Sequence, residues 1–291
     1  MNYDVRLRLS YDYHAPVTGG RHLVRVMPPT IAGVQRVAAA LRFDTPPAER
    51  SDRRDFFGNA VSHVRYEAPH ASLAVELAAR VSVERAAGML DVSPDLAGLA
   101  RELDAVRSLD PDAPHHFRAA SPRAPLDPAI TRYAAESLGA GRSVLAVAED
   151  LCRRIHGEFA YDTGATEVDT PAAEAFTLRR GVCQDFSHVM IAGLRGLGIP
   201  AGYVSGFLRT IPPPGGQRLV GADAMHAWVR VWCGIEAGWQ ELDPTNGVRA
   251  GNDHIVVGYG RDYGDVSPIV GIVRTSGRHS AAQAVDVIAL G

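Results

Sequence analysis

Five prolines, at positions 111, 114, 122, 125 and 128, fall between Ser108 and Pro128. Each removes a backbone donor and fixes φ, so no helix or central strand can run through this stretch. The stretch is expected to be a linker or long connection between two domains. With 291 residues there is enough sequence for each to bury a core. The expected division is an N-terminal domain with its linker over residues 1–120 and a second domain over 121–291.

The two sides carry different hydrophobic periods. Before the prolines, Val5, Leu7 and Leu9 alternate with polar residues, as do Leu73, Val75 and Leu77. Leu23, Val24 and Val26 lead into Pro28-Pro29, and 55-DFFGN-59 has tight-turn chemistry. This pattern predicts an antiparallel β-sandwich. After the prolines, Asp127-Pro128 opens a helix through Leu138. Ser143 caps a second to about Gly157, with Val144, Val147, Ala148, Leu151 and Ile155 at helical spacing. Thr170-Pro171 begins a short helix, and a longer one runs from about Val182 to Leu197, ended by Gly198. Phe186, Val189, Met190, Leu194 and Leu197 make its apolar stripe. Strands are expected at 200–209, 224–233 and 237–243. The predicted fold class is α+β.

Apolar residues make up 46% and charged residues 22%, a globular composition. A net charge of -3 gives no long-range attraction for nucleic acid or an anionic membrane, so neither is an expected partner. The start lacks the pattern of a secretory signal, and no apolar run is long enough to span a membrane. The expectation is a cytoplasmic protein, with oligomeric state left open. Three cysteines, none in a C-x-x-C pair, argue against a disulfide framework. All thirty basic residues are arginine, so the chain has no side-chain primary amine.

One of the cysteines has a chemical address. In 179-RRGVCQDFSHVM-190, Cys183 falls in the first turn of the longest predicted helix, where unpaired N–H groups and the helix dipole favour a thiolate. Arg179 and Arg180 are expected to add positive potential. A lone cysteine is usually a small core residue, and position alone favours that reading over catalysis. A thiol nucleophile needs a base, and imidazole suits the task. In 224-AMHAWVRVWC-233, strand alternation sets His226, Trp228, Arg230 and Trp232 on one face. Asp243 ends the next strand ahead of the turn Pro244-Thr245-Asn246-Gly247. Cysteine, histidine and aspartate in that order match a nucleophile, a base and a group that orients the base.

The segments G-V-C-x-D-F, G-I-P-A-x-Y-V-S-G-F at 198–207, M-H-A-W-V and L-D-P-T-N resemble those of the transglutaminase-like cysteine enzymes, in the bacterial branch with an N-terminal β-domain. The turn 55-DFFGN-59 is similar to that branch's amino-terminal domain, and 261-RDYGDVSPIVG-271 to its carboxy-terminal segment. The resemblance implies a papain-like α+β catalytic core acting on a peptide or protein substrate. In it Cys183 attacks an amide carbonyl, His226 is base and then acid, Asp243 orients His226, and a thioester is the intermediate. No cofactor or metal is implied. Of the two possible fates of the thioester, hydrolysis is preferred to transfer of the acyl group to an amine. A binding module with its chemistry lost is a third reading, against which stands the presence of all three triad residues.

Oxyanion donors are sought at the Cys183 N–H, and Tyr161 and Gln184 are further oxyanion or cleft candidates. Trp228 is expected to wall the cleft, and the loop 210–223 to form a rim beside it. A zinc site from Cys183, His188, His226 and Cys233 is disfavoured. His188 lies five residues past Cys183 on a helix, and Cys233 has the opposite strand parity to His226. His115-His116 is expected to be a solvated loop pair.

Overall fold

A computed structural model describes residues 1–85, 90–210 and 223–290. The N-terminal part contributes β1 (Asn2–Val17), β2 (Gly20–Val24), β3 (Val34–Phe43), β4 (Glu49–Arg54), β5 (Ala60–Tyr66) and β6 (His70–Val83). The middle contributes helices α1 (Leu96–Ala105), α2 (Pro128–Ala135) and α3 (Val144–Glu158), then β7 (Ala160–Tyr161), α4 (Ala172–Leu178), β8 (Arg180–Gly181) and α5 (Cys183–Gly196). Next come β9 (Ala201–Leu208), β10 (Ala224–Trp232), β11 (Trp239–Asp243), β12 (Val248–Arg249) and β13 (His254–Gly260). The chain finishes with α6 (Tyr263–Val266), β14 (Ile269–Val273) and β15 (His279–Leu290).

Two four-stranded antiparallel sheets, ordered β15-β1-β6-β3 and β14-β2-β5-β4, enclose one core. Tyr3, Val5, Leu7 and Leu9 face inward from β1, as the alternation predicts. The division expected at 120/121 is not respected by the C-terminal strands, which return to complete both N-terminal sheets. β15 pairs with β1 from Asn2↔Leu290 to Tyr13↔His279, and β14 pairs with β2 from Ile269↔Val24 to Gly20↔Val273. The reason is physical: without β15, β1 would present a long unpaired edge, and Val285 and Val287 find their burial only in this core.

The second half is a five-stranded sheet, ordered β12-β11-β10-β9-β13, packed against helices. Its Ala227, Val229 and Val231 join the helical core, whereas Trp228 joins the core of the sandwich. The sheet is therefore covered on both sides. Central in the helical layer is α5, buried from Gln184 through Arg195, and Gly198, at φ +81, turns the chain away beyond its end.

The proline-rich stretch is not a bare linker. Pro114 opens a 3₁₀ turn over Pro114–Phe117, and the fully buried Phe117 ring packs 5.1 Å from Trp239 and under the Arg230 guanidinium. His115 and His116 lie on this turn, their Nε2 atoms 3.1 and 3.2 Å from the carbonyls of Val106 and Leu109, rather than free in solvent. Pro128 is the first residue of α2, whose N-cap Asp127 accepts the N–H groups of Ala129 and Ile130.

Candidate active site

Cys183 opens α5 and is half-buried, whereas Cys152 and Cys233 are sealed in the core. The start of α5 is fixed by Asp185, whose Oδ2 accepts the Val182 N–H at 2.8 Å and the Thr166 hydroxyl at 2.7 Å. The first-turn N–H groups of Cys183 and Gln184 have no carbonyl a turn earlier to bond, so they offer donors beside the thiol. The two arginines have partners of their own. The Arg179 guanidinium sits 4.5, 4.8 and 4.3 Å from the rings of Tyr133, Phe159 and Phe176 and pairs with Glu158. Arg180 reaches toward Asp162, at 4.0 Å.

His226 lies on β10 and is 9% exposed. Its Nε2 is 2.8 Å from Asp243 Oδ2, and the ring also feels the neighbouring Cys183. Burial alone would depress the imidazole's pKa. The hydrogen bond to Asp243, together with the influence of Cys183 and the Asp243 charge, outweighs it and raises the pKa. Asp243 is fully buried at the end of β11. Its Oδ1 accepts the N–H groups of Thr245 and Asn246 at 2.9 and 3.2 Å, and its Oδ2 also accepts the Asn246 side-chain amide at 2.6 Å. Burial would raise its pKa, but the bonds from His226, His254 and Asn246 hold it well below the usual carboxylate range. The turn sequence Pro-Thr-Asn-Gly thus folds back to supply donors to the acid that precedes it.

The structure places the other expected residues differently. Tyr161 is exposed over more than half of its surface, and the partial desolvation of its hydroxyl, with the neighbouring Cys183 charge, raises its pKa. Gln184 is buried, not solvated, and its side-chain amide is committed to the Val168 carbonyl at 2.8 Å. Trp228 does not wall an open cleft. It is fully buried behind His226, stacked at 6.1 Å with an interplanar angle of 28°, and its indole N–H donates to Glu241 Oε2 at 2.7 Å. Of the expected rim, residues 211–222 lie outside the described residues.

His188 accepts the Tyr263 N–H on its Nε2, and the Cys233 thiol is turned to the Val231 carbonyl. Among the described residues, the group with cation-binding spacing is instead His226, Asp243 and His254. Sequence reasoning missed His254, whose setting in 252-NDHIVVG-258 is that of any strand histidine.

Residues 131–244 match the family model of the transglutaminase-like superfamily, and residues 3–82 that of the bacterial transglutaminase-like N-terminal region. An uncharacterized protein of Mycobacterium tuberculosis is 37% identical over 299 residues, covering 98% of this chain and 92% of its own. One of Mycobacterium leprae is 32% identical over 284 residues, covering 96% and 94%. A crystal structure of a candidate cysteine protease from Cytophaga hutchinsonii superimposes with a TM-score of 0.76 at 20% identity, covering 100% of this chain and 91% of that one. At that identity the likeness is one of fold.

Proposed function

This chain belongs to the transglutaminase-like superfamily, and we propose that within it the chain is a cysteine-nucleophile hydrolase of peptide or side-chain amide bonds. The observation that carries this reading is the His226 ring, which is bonded to Asp243 at 2.8 Å and has its pKa raised by the neighbouring Cys183, so that one imidazole stands between sulfur and carboxylate. His226 takes the thiol proton, and the sulfur attacks the amide carbonyl carbon. The oxyanion that forms is met by the first-turn N–H groups of α5, with the Tyr161 hydroxyl as a further donor. The C–N bond breaks, the imidazolium gives its proton to the leaving amine, and a thioester remains. Water, losing a proton to His226, then attacks the thioester. The acid is released and the thiol restored. Asp243 holds the imidazole in line throughout and stabilises its charged form.

An amine could take the place of water at the same thioester, which would make the enzyme a transglutaminase. Hydrolysis is favoured by the description of the Cytophaga hutchinsonii protein as a cysteine protease candidate. The test is mass spectrometry of a peptide library, peptidoglycan peptides included, after exposure to the protein or to Cys183→Ala, with and without a labelled amine. Cysteine-dependent acid products are expected. Stoichiometric amine incorporation would assign the transferase instead, and identical spectra for the two proteins would leave a binding module.

A further inference from the structure

The reaction asks Asp243 to orient one imidazole, yet two imidazoles bind the same oxygen. His254 Nε2 lies 3.0 Å from Asp243 Oδ2, to which His226 Nε2 also bonds. His254 is buried on β13, with its ring edge-on to Trp228 at 5.2 Å and its carbonyl accepting from Arg85 at 3.3 Å. The same tryptophan stacks on His226, so one indole packs both rings and sets their centroids 6.2 Å apart.

The proton on His254 can be located. The Gly251 backbone N–H donates to Nδ1 at 3.1 Å, so Nδ1 carries the lone pair and the neutral ring carries its hydrogen on Nε2. Facing that hydrogen is Asp243 Oδ2. The two Nε2 atoms and the carboxylate lie within 4.8 Å of one another, which is also cation-binding spacing. A ligating Nε2 would need its proton moved to Nδ1, against the Gly251 N–H, so the arrangement is that of a donor and not of a ligand.

Resting on the triad reading above, we propose that His254 is a positioning residue: its Nε2–H, fixed by Gly251, pins Asp243 Oδ2 in line with the His226 ring and keeps the carboxylate ionised there. It touches no substrate and acts through Asp243. The titratable groups around Asp243 are His226 on β10, His254 on β13 and the Cys152 thiol on α3, whose pKa is pushed up to about 12 by burial and by the Asp243 charge. With the Cys152 proton held that tightly, the two imidazoles are the titrating partners of the carboxylate, beside the Asn246 amide on Oδ2 and the Thr245 and Asn246 N–H groups on Oδ1.

The experiment needs no substrate. Iodoacetamide labelling of Cys183 is followed at pH 5 and pH 8 in the full chain, in His254→Leu, in His254→Gln and in His226→Asn. Without the second imidazole donor, Asp243 is held less firmly as a carboxylate in line with His226, and the loss tells most at low pH. His254→Leu is therefore expected to label roughly tenfold more slowly than wild type at pH 5 and within about twofold at pH 8. His254→Gln, whose amide can donate to the same oxygen, is expected to stay close to wild type. Long-range ¹H–¹⁵N spectra of the wild-type protein are expected to show His254 protonated on Nε2 alone, a readout that survives if His254→Leu fails to fold. A wild-type rate at both pH values in folded His254→Leu, or a ring protonated on Nδ1, would overturn the proposal. If His226→Asn labels as fast as wild type, the triad reading itself has failed; slow labelling in His226→Asn beside a wild-type His254→Leu rejects His254 alone.

Discussion

Asn59 and Tyr259 are joined by a reciprocal pair of hydrogen bonds: the Asn59 amide donates to the Tyr259 carbonyl at 2.7 Å, and the Tyr259 N–H donates to Asn59 Oδ1 at 2.8 Å. The turn 55-DFFGN-59 of the sandwich thereby pairs, as a strand would, with β13, which carries His254. Asn59 is itself held by Asp55, whose carboxylate accepts both its backbone and side-chain N–H groups.

Replacing Asn59 with Ala leaves a half-buried N–H and a half-buried carbonyl of Tyr259 without these partners. The expected cost is about 2–4 kcal/mol of global stability, measured by urea unfolding. Because the sandwich and the catalytic sheet share a core, one cooperative transition is expected, shifted to lower urea. A variant as stable as wild type would show that the clasp does not join the two halves energetically.

Gly206 lies opposite His226 in the β9–β10 register. A methyl group added there would collide with the Ile255 carbonyl and with the Trp228 ring, and the backbone partner cannot give way. Gly206→Ala is expected to destabilise by about 1–3 kcal/mol and to displace the indole that packs His226. A wild-type melting curve together with wild-type Cys183 labelling would refute this account of why the segment Y-V-S-G-F carries glycine.

His188 is fully buried, and desolvation, reinforced by Arg123 and Arg195 against Asp262, pushes its pKa down to about 4. An unfolded histidine titrates near 6.5, so below that pH the unfolded chain binds more protons. The stability His188 contributes is complete above about pH 6.5 and is lost as pH falls toward 4, by about 3 kcal/mol in all. His22, also depressed by burial, acts in the same direction. Unfolding free energy measured between pH 7 and pH 4 should fall less steeply in His188→Gln than in wild type. Equal slopes would place the acid sensitivity elsewhere.

Much of the site is legible in the sequence because its parts are local. The Cys183 helix start, the β10 strand and the Asp243 strand end each announce themselves by period or by turn chemistry, and they fall where expected. What escapes is non-local. β15 is mostly exposed along its first half and pairs with β1 at the opposite end of the chain, so nothing in its own pattern names its partner. His254 acquires its role only because β13 pairs with β9 on the far side from β11, bringing it within reach of a carboxylate eleven residues back. The three rings that converge on Arg179 lie far apart in the chain, so its packing could not be read from the sequence. Helix α1 is a different case: Asp95, whose carboxylate caps the Gly98 N–H, precedes Leu96, Leu99 and Leu103 at helical spacing, so the signal lay in the sequence.

The most direct measurement of the central claim is intact-protein mass spectrometry of iodoacetamide labelling at pH 6 in wild type and in His226→Asn. Cys152 and Cys233 are buried, with thiol pKa values pushed up by desolvation, so a single adduct is expected, on Cys183. If the imidazole takes the thiol proton, the wild-type adduct forms at least roughly tenfold faster than the variant's. Labelling of Cys183 at the same rate in both proteins would contradict the account.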